Sequence, residues 1–165
     1  GLSYTNFNYG DIRLSGTTFR DALRVTITVT NKGQVAGKEV VQLYISAPAK
    51  KLDKPEEELK AFGKTRLLQP GQSQTITFTL HASDLASFDT QSTSWIAEAG
   101  NYTVKIGSSS RNFIRKAGFA LARDIVVEKD HRVLAPEKSF PEYERGKEIS
   151  EVFIYEPNNF IVAGQ

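Results

Sequence analysis

The chain has 165 residues, 21 Lys and Arg against 19 Asp and Glu, a net charge of +2, and neither Cys nor Met. Balanced charge with no basic block argues against a nucleic-acid binder, and the missing Cys excludes disulfides, thiolate metal sites and thiol nucleophiles together. A chain this long can bury one sizeable core, removing roughly two thirds of its unfolded surface from water, and no apolar run is long enough for a signal peptide or a membrane span.

Gly stands at position 1, so the chain is expected to be a mature product or a piece of a longer polypeptide. In 5–14, Phe7 and Tyr9 alternate and Ile12 and Leu14 follow in the opposite phase. A bulge or bend at Gly10 would reconcile the two. Ser15-Gly-Thr-Thr then turns the chain. Residues 23–45 read as a central hairpin. In its first arm Leu23, Val25, Ile27 and Val29 alternate with Arg24, Thr26, Thr28 and Thr30, and in its second Val41, Leu43 and Ile45 share a face. That is the period of strands half on a core and half in water. Asn31, Gly33 and Gly37 tolerate positive φ and suit the reversal between the arms.

Residues 47–58 carry two prolines and blocks of charge, and are expected to cross from one sheet to the other. A strand over 59–68 leads to Gln69-Pro-Gly-Gln, a turn with Pro and Gly in favoured places. In 75–80, Ile76, Phe78 and Leu80 oppose Thr75, Thr77 and Thr79. Residues 81–89 suffice for one helical turn, with Ser83 or Asp84 as cap. A short strand around Trp95 follows, then strands at 102–107 and 117–128. Residues 130–147 are polar and Pro-punctuated, and a last apolar patch holds Val152-Phe-Ile-Tyr and Phe160-Ile-Val. The first of these suits an added edge strand or pairing with a neighbour and equally a mobile tail. Short strands without a long amphipathic helix predict an all-β antiparallel sandwich over 1–130, with 131–165 as a C-terminal extension.

Several motif groups in order resemble one family. They are Gly1-Leu-Ser-Tyr-Thr-x-Phe, Val29-Thr-Asn-x-Gly-x-x-x-Gly-x-Glu-Val-Val-Gln-Leu-Tyr44, Pro55-x-x-x-Leu-x-x-Phe-x-Lys-x-x-Leu-x-x-Pro-Gly-x-Ser73, Asp84-Leu-x-x-Phe-Asp89 with Trp95, and Gly100-x-Tyr102 with Gly107-x-Ser-Ser-Arg111. Together they resemble the C-terminal fibronectin type III-like domain of glycoside hydrolase family 3, the β-glucosidase and β-xylosidase type. The resemblance implies an immunoglobulin-like, fibronectin type III-like β-sandwich. It also implies a parent enzyme that retains anomeric configuration, with an Asp nucleophile in an N-terminal barrel and a Glu acid/base in a following α/β domain. Those carboxyl groups stand about 5–5.5 Å apart in such enzymes, and neither domain is in this chain. The expectation is therefore a non-catalytic accessory domain with no cofactor or metal, partnered by the catalytic domains of its own polypeptide. A bacterial periplasmic or secreted setting is expected.

No catalytic residue is assigned. Trp95 suits a sugar-stacking platform, but a lone Trp in such a sandwich more often fills the core. His81 and His131 lack further ligands at metal spacing. Ser94, Ser108, Ser109 and Ser110 stand without a His/Asp constellation. The Glu56-Glu57-Glu58 run reads as a solvated face, and Asp84 and Asp89 as turn caps. Asn101-Tyr-Thr fits the glycosylation sequon and also suits a turn. Within the charged loop and the strand after it, Leu52, Pro55, Leu59 and Phe62 bracket a candidate surface for docking onto catalytic domains, since loops carry interaction surfaces more often than strands do. Leu59 and Phe62 suit the sandwich core equally well. Two other readings are a carbohydrate-binding module, which predicts Tyr4, Tyr9, Tyr44 or Trp95 facing solvent on one plane, and a free-standing adhesion or secreted interaction domain.

Overall fold

The computed structural model describes residues 6–48 and 57–128, and residues 151–156 and 159–163 as backbone. The strict alternation over 22–31 forms the longest strand of the first sheet, β4 (Ala22–Asn31), whose Leu23, Val25, Ile27 and Val29 are all buried. On one side it pairs antiparallel with β7 (Ser73–His81), setting Ile27 opposite Ile76 and Val25 opposite Phe78. On the other side lie β1 (Phe7–Tyr9) and β2 (Arg13–Leu14). Tyr9 faces Val29 and Arg13 faces Thr26, four steps on one strand against three on the other. The extra residue is the bulge expected at Gly10, whose N–H is held by Thr28 O at 2.8 Å. Apolar residues of both phases thereby reach the core.

The second sheet corrects the reading of 23–45 as a hairpin. β5 (Val40–Ser46) does not pair with β4; it pairs with β6 (Glu58–Lys64) on one side and with β10 (Gly100–Ser109) on the other. The two arms stand in opposite sheets and residues 32–39 form an arch between them. The loop that begins at Ala47, expected to cross, instead joins strands that are neighbours in one sheet. Each arm has the same period-two pattern in either arrangement, because each must bury one face. The glycines do not make the reversal either: among the described residues the positive-φ glycines are Gly71 and Gly100, not Gly33 or Gly37. Gly71, at φ +87, sits third in the Gln69–Gln72 turn, where a type II turn needs that conformation.

The second sheet continues through β11 (Asn112–Leu121) to β3 (Thr18–Phe19), which pairs with it in parallel. At its other edge the backbone of β13 (Glu151–Glu156) adds to β6, and β14 (Asn159–Ala163) adds to β13. The apolar faces of the two sheets meet in one core. Tyr9, Phe78, Leu43, Ile76 and Ile106 are almost wholly buried there, each such side chain contributing about 1.5–3 kcal/mol relative to exposure. Gly63 keeps the sheets close, since a Cβ there would meet Ile76 Cγ2 at 3.0 Å. Arg115 pins the seam from β11, donating from Nη2 to Tyr9 O at 2.8 Å and from Nε to Gly10 O at 3.0 Å across the sandwich.

At one end of the sandwich a small sheet holds β8 (Ser87–Asp89), β9 (Ser94–Ala97) and β12 (Ile125–Val127). The single strand expected over 117–128 is thus two strands in two sheets, broken at 122–124. The helical turn α1 (Ala82–Leu85) is capped at His81, not at Ser83 or Asp84. Asp84 occupies the third helical position and accepts the His81 N–H at 2.7 Å.

Candidate functional site

The docking surface proposed from sequence divides here. Leu52 and Pro55 lie outside the described residues. Leu59 and Phe62 are on β6, and their register decides between core and surface. Leu59 lies opposite Tyr44 and Phe62 opposite Gln42, whereas Ala61 and Gly63 face the buried Leu43 and Val41. Directly opposed residues share a face, so Leu59 and Phe62 stand on the outer face of the second sheet, half-buried, and are not part of the sandwich core. A register shift beside Lys60 brings this about.

Around them the outer face is aromatic and ion-paired. Tyr44 meets Phe113 edge to face with centroids 5.2 Å apart, and donates its hydroxyl to Gln42 Oε1 at 2.6 Å. Lys105 Nζ lies 5.5 Å from the Phe113 ring centre and forms an ion pair with Glu57. Lys60, itself largely buried, pairs with Glu58 at 3.0 Å. Glu57 and Glu58 are therefore engaged with lysines, which corrects the reading of that run as a merely solvated face; Glu56 lies outside the described residues.

The remaining candidates are dispersed. Trp95 is half-buried and packs against the core, edge to face with the exposed Phe88 at 5.3 Å. Within the core Tyr102 stacks on Phe119 at 5.3 Å, and Phe19 lies 6.3 Å from Phe119. Tyr102 donates to Glu98 O at 2.5 Å, a tyrosine corner four residues long. Burial first, and then the charges of Glu98 and Asp124, push its hydroxyl pKa up to about 12. Asp89 accepts from Gln91 N and Ser92 Oγ in the turn before β9, far from acting as a pair with Asp84. Asn101 is exposed on β10 opposite Ala120. Ser94 and Ser108 bond within their own turns, to Ser92 and Asn112. His131 and Tyr4 lie outside the described residues. Among the described residues no three His, Asp or Glu gather as a metal would require, and no helix is long and apolar enough to cross a membrane. Tyr9, 2% exposed, and Tyr44, 9% exposed, do not form a flat aromatic platform.

One carboxylate was not singled out from sequence. Glu39, at the end of the arch, accepts the Tyr9 hydroxyl at 3.1 Å and the Val40 N–H at 3.1 Å. Its neighbour Thr65 ties the same residue by two further bonds, Glu39 N to Thr65 Oγ1 and Thr65 N to Glu39 O. Burial raises the Glu39 pKa above its ordinary value, and the two donors offset that only in part. A raised carboxyl pKa favours the fold fully below the unfolded-state value and withdraws that contribution as pH rises through the folded-state value. Glu39→Gln should therefore gain in melting midpoint relative to the unmodified chain as pH is raised from about 4 to 7. Melts at a series of pH values check this, and a constant gap would show that Glu39 is not held against its charge.

Comparison with known proteins gives a consistent result. A family described as "Fibronectin type III-like domain" matches residues 39–110. The chain is 39% identical over 154 residues to beta-glucosidase A of Butyrivibrio fibrisolvens, covering 82% of this chain and 19% of that protein. Among solved structures, beta-glucosidase 3B from Thermotoga neapolitana in complex with alpha-D-glucose superposes with TM-score 0.71 at 46% identity, over 78% of this chain and 17% of that one. The GH3 beta-glucosidase of Bifidobacterium adolescentis gives 0.68 at 36% identity, over 73% and 18%. The chain thus spans less than a fifth of the length of these proteins.

Proposed function

Because the chain carries a fibronectin type III-like domain of the glycoside hydrolase family 3 type, we propose that it serves as a non-catalytic accessory domain of a retaining β-glucosidase, packing against and stabilising the catalytic domains of the same polypeptide. The observation that carries this reading is the outer face of the second sheet. Leu59 and Phe62 point away from the sandwich core and are joined there by Tyr44 and Phe113. A face of that composition suits burial against another domain. The lengths of the relatives support it as well, since in them a domain like this one is a minor part of a single chain.

Leu59→Asp tests the reading. In the longer polypeptide it should lower the melting midpoint by several degrees more than it does in the 165-residue chain, because only the former buries that face a second time. Equal shifts in the two would count against docking through this face.

A further inference from the structure

We propose that the end of the sandwich at which β1 begins is a second docking face, for a neighbouring domain of the same polypeptide that presents an apolar surface edged by carboxylates. This rests on the accessory-domain reading and adds to it a separate surface and the chemistry of what covers that surface.

Among the described residues, three of the five large exposed apolar residues gather at this end: Val35 at 45%, Leu67 at 50% and Val40 at 37%. The loops that carry Val35 and Leu67 are tied to each other by hydrogen bonds. Asn31, wholly buried at the end of β4, donates from Nδ2 to Val35 O at 2.9 Å and to Leu68 O at 2.8 Å, and its Oδ1 accepts Gly33 N at 2.8 Å. Gly37 and Leu68 exchange both backbone bonds, and Gly71 N is held by Asn31 O at 2.7 Å. One amide thus fixes the two loops that expose Val35 and Leu67. A surface already ordered in this way loses little conformational freedom when it is covered.

The charge of this end is one-sided. Lys32, Lys38, Lys64 and Arg111 are exposed around the apolar residues. Across 29–42, 64–75 and 107–114 the single acid is Glu39, whose carboxylate is occupied by Tyr9 and Val40. Register places one further acid here, Glu151 opposite Lys64. Clustered cations of this kind favour a partner of opposite sign. The path of the chain names the occupant. β1 begins at this end, with Phe7 opposite Asn31, and Asn6 O accepts Lys32 N at 2.6 Å, which sets residue 6 against the arch. A domain joined ahead of β1 therefore meets this end first.

The test compares Val35→Glu/Leu67→Glu and Lys32→Glu/Lys38→Glu/Lys64→Glu in the longer polypeptide and in the 165-residue chain. The apolar pair should lower the midpoint of the longer polypeptide by about 5 °C and speed proteolytic release of the domain several-fold. The 165-residue chain should keep its own midpoint. The charge-reversed triple variant should weaken the longer polypeptide more at low salt than at high salt. An unchanged longer polypeptide, with Leu59→Asp still lowering its midpoint, would overturn this face and leave the accessory reading standing. No effect from either face would overturn both. An equal loss in the 165-residue chain would show that Val35 and Leu67 act within the sandwich, which overturns the proposal too.

Discussion

Asn31→Leu is expected to destabilise the 165-residue chain by about 3 kcal/mol, a fall in melting midpoint of about 10 °C. The side chain is wholly buried and makes three hydrogen bonds, two as donor and one as acceptor. Leucine keeps the branched outline with bulkier methyl ends, so some overpacking adds to the loss of the polar contacts. Val35 O and Gly33 N lose a partner outright, while Leu68 O keeps its bond from Gly37 N. Val35 O and Gly33 N are only part-buried, so the cost is that of the three hydrogen bonds lost, about 1 kcal/mol net for each. Asn31→Asp should do no better, since it retains an acceptor for Gly33 and sets a carboxylate against two carbonyls. Thermal and urea melts decide the matter. A loss below about 1 kcal/mol would mean that water replaces the amide and that the arch is not braced through it.

Gly107→Ala should cost at least as much, about 3 kcal/mol or more. Gly107 lies between two register shifts in the pairing of β10 with β11. A Cβ added there would fall inside the carbonyl of Asn112, with its carbonyl carbon at 3.0 Å and Phe113 Cα at 3.1 Å. All three are backbone atoms, so no rotamer change relieves the clash and the start of β11 must move. That strand sets Phe113 against Tyr44 and carries Arg115 across the core seam. Gly118→Ala on the same strand is the matched control. Its Cβ would sit 3.7 Å from Tyr102 O, an ordinary contact. It should be neutral, or stabilising by up to about 1 kcal/mol through reduced freedom of the unfolded chain. Two variants of equal stability would show that the strand end yields easily.

These two residues also mark where sequence reasoning reached and where it stopped. Leu23 through Val29 and Ile76 through Leu80 announce their strands, because a half-buried strand leaves a period of two in the chain. The Gly10 bulge was legible for the same reason, as a change of phase. What the pattern leaves undetermined is the partner of each strand: β4 followed by β5 reads alike as a hairpin and as an arch. The difference lies in Asn31, whose buried amide bonds a loop 37 residues away. An Asn before a Gly signals a turn, without telling which strands that turn joins. The outward placement of Leu59 and Phe62 depends on one slipped residue at Lys60, and a local pattern of apolar residues does not show it. Trp95 was expected among core residues because a lone large aromatic usually is; it packs against the core half-buried, while Tyr9, Phe78 and Tyr102 are buried within it. Arg115 left no signal, since its partners are carbonyls.

That clamp has a consequence for how the molecule assembles. Arg115 reaches a carbonyl 106 positions earlier, and β3 leans on β11 across a comparable stretch. During synthesis the first strands leave the ribosome long before the residues that fasten them exist. Closure of this seam is then among the last folding events, with the high contact order that slows β-sandwiches. Any domain made ahead of β1 has that interval in which to fold on its own before the sandwich shuts behind it.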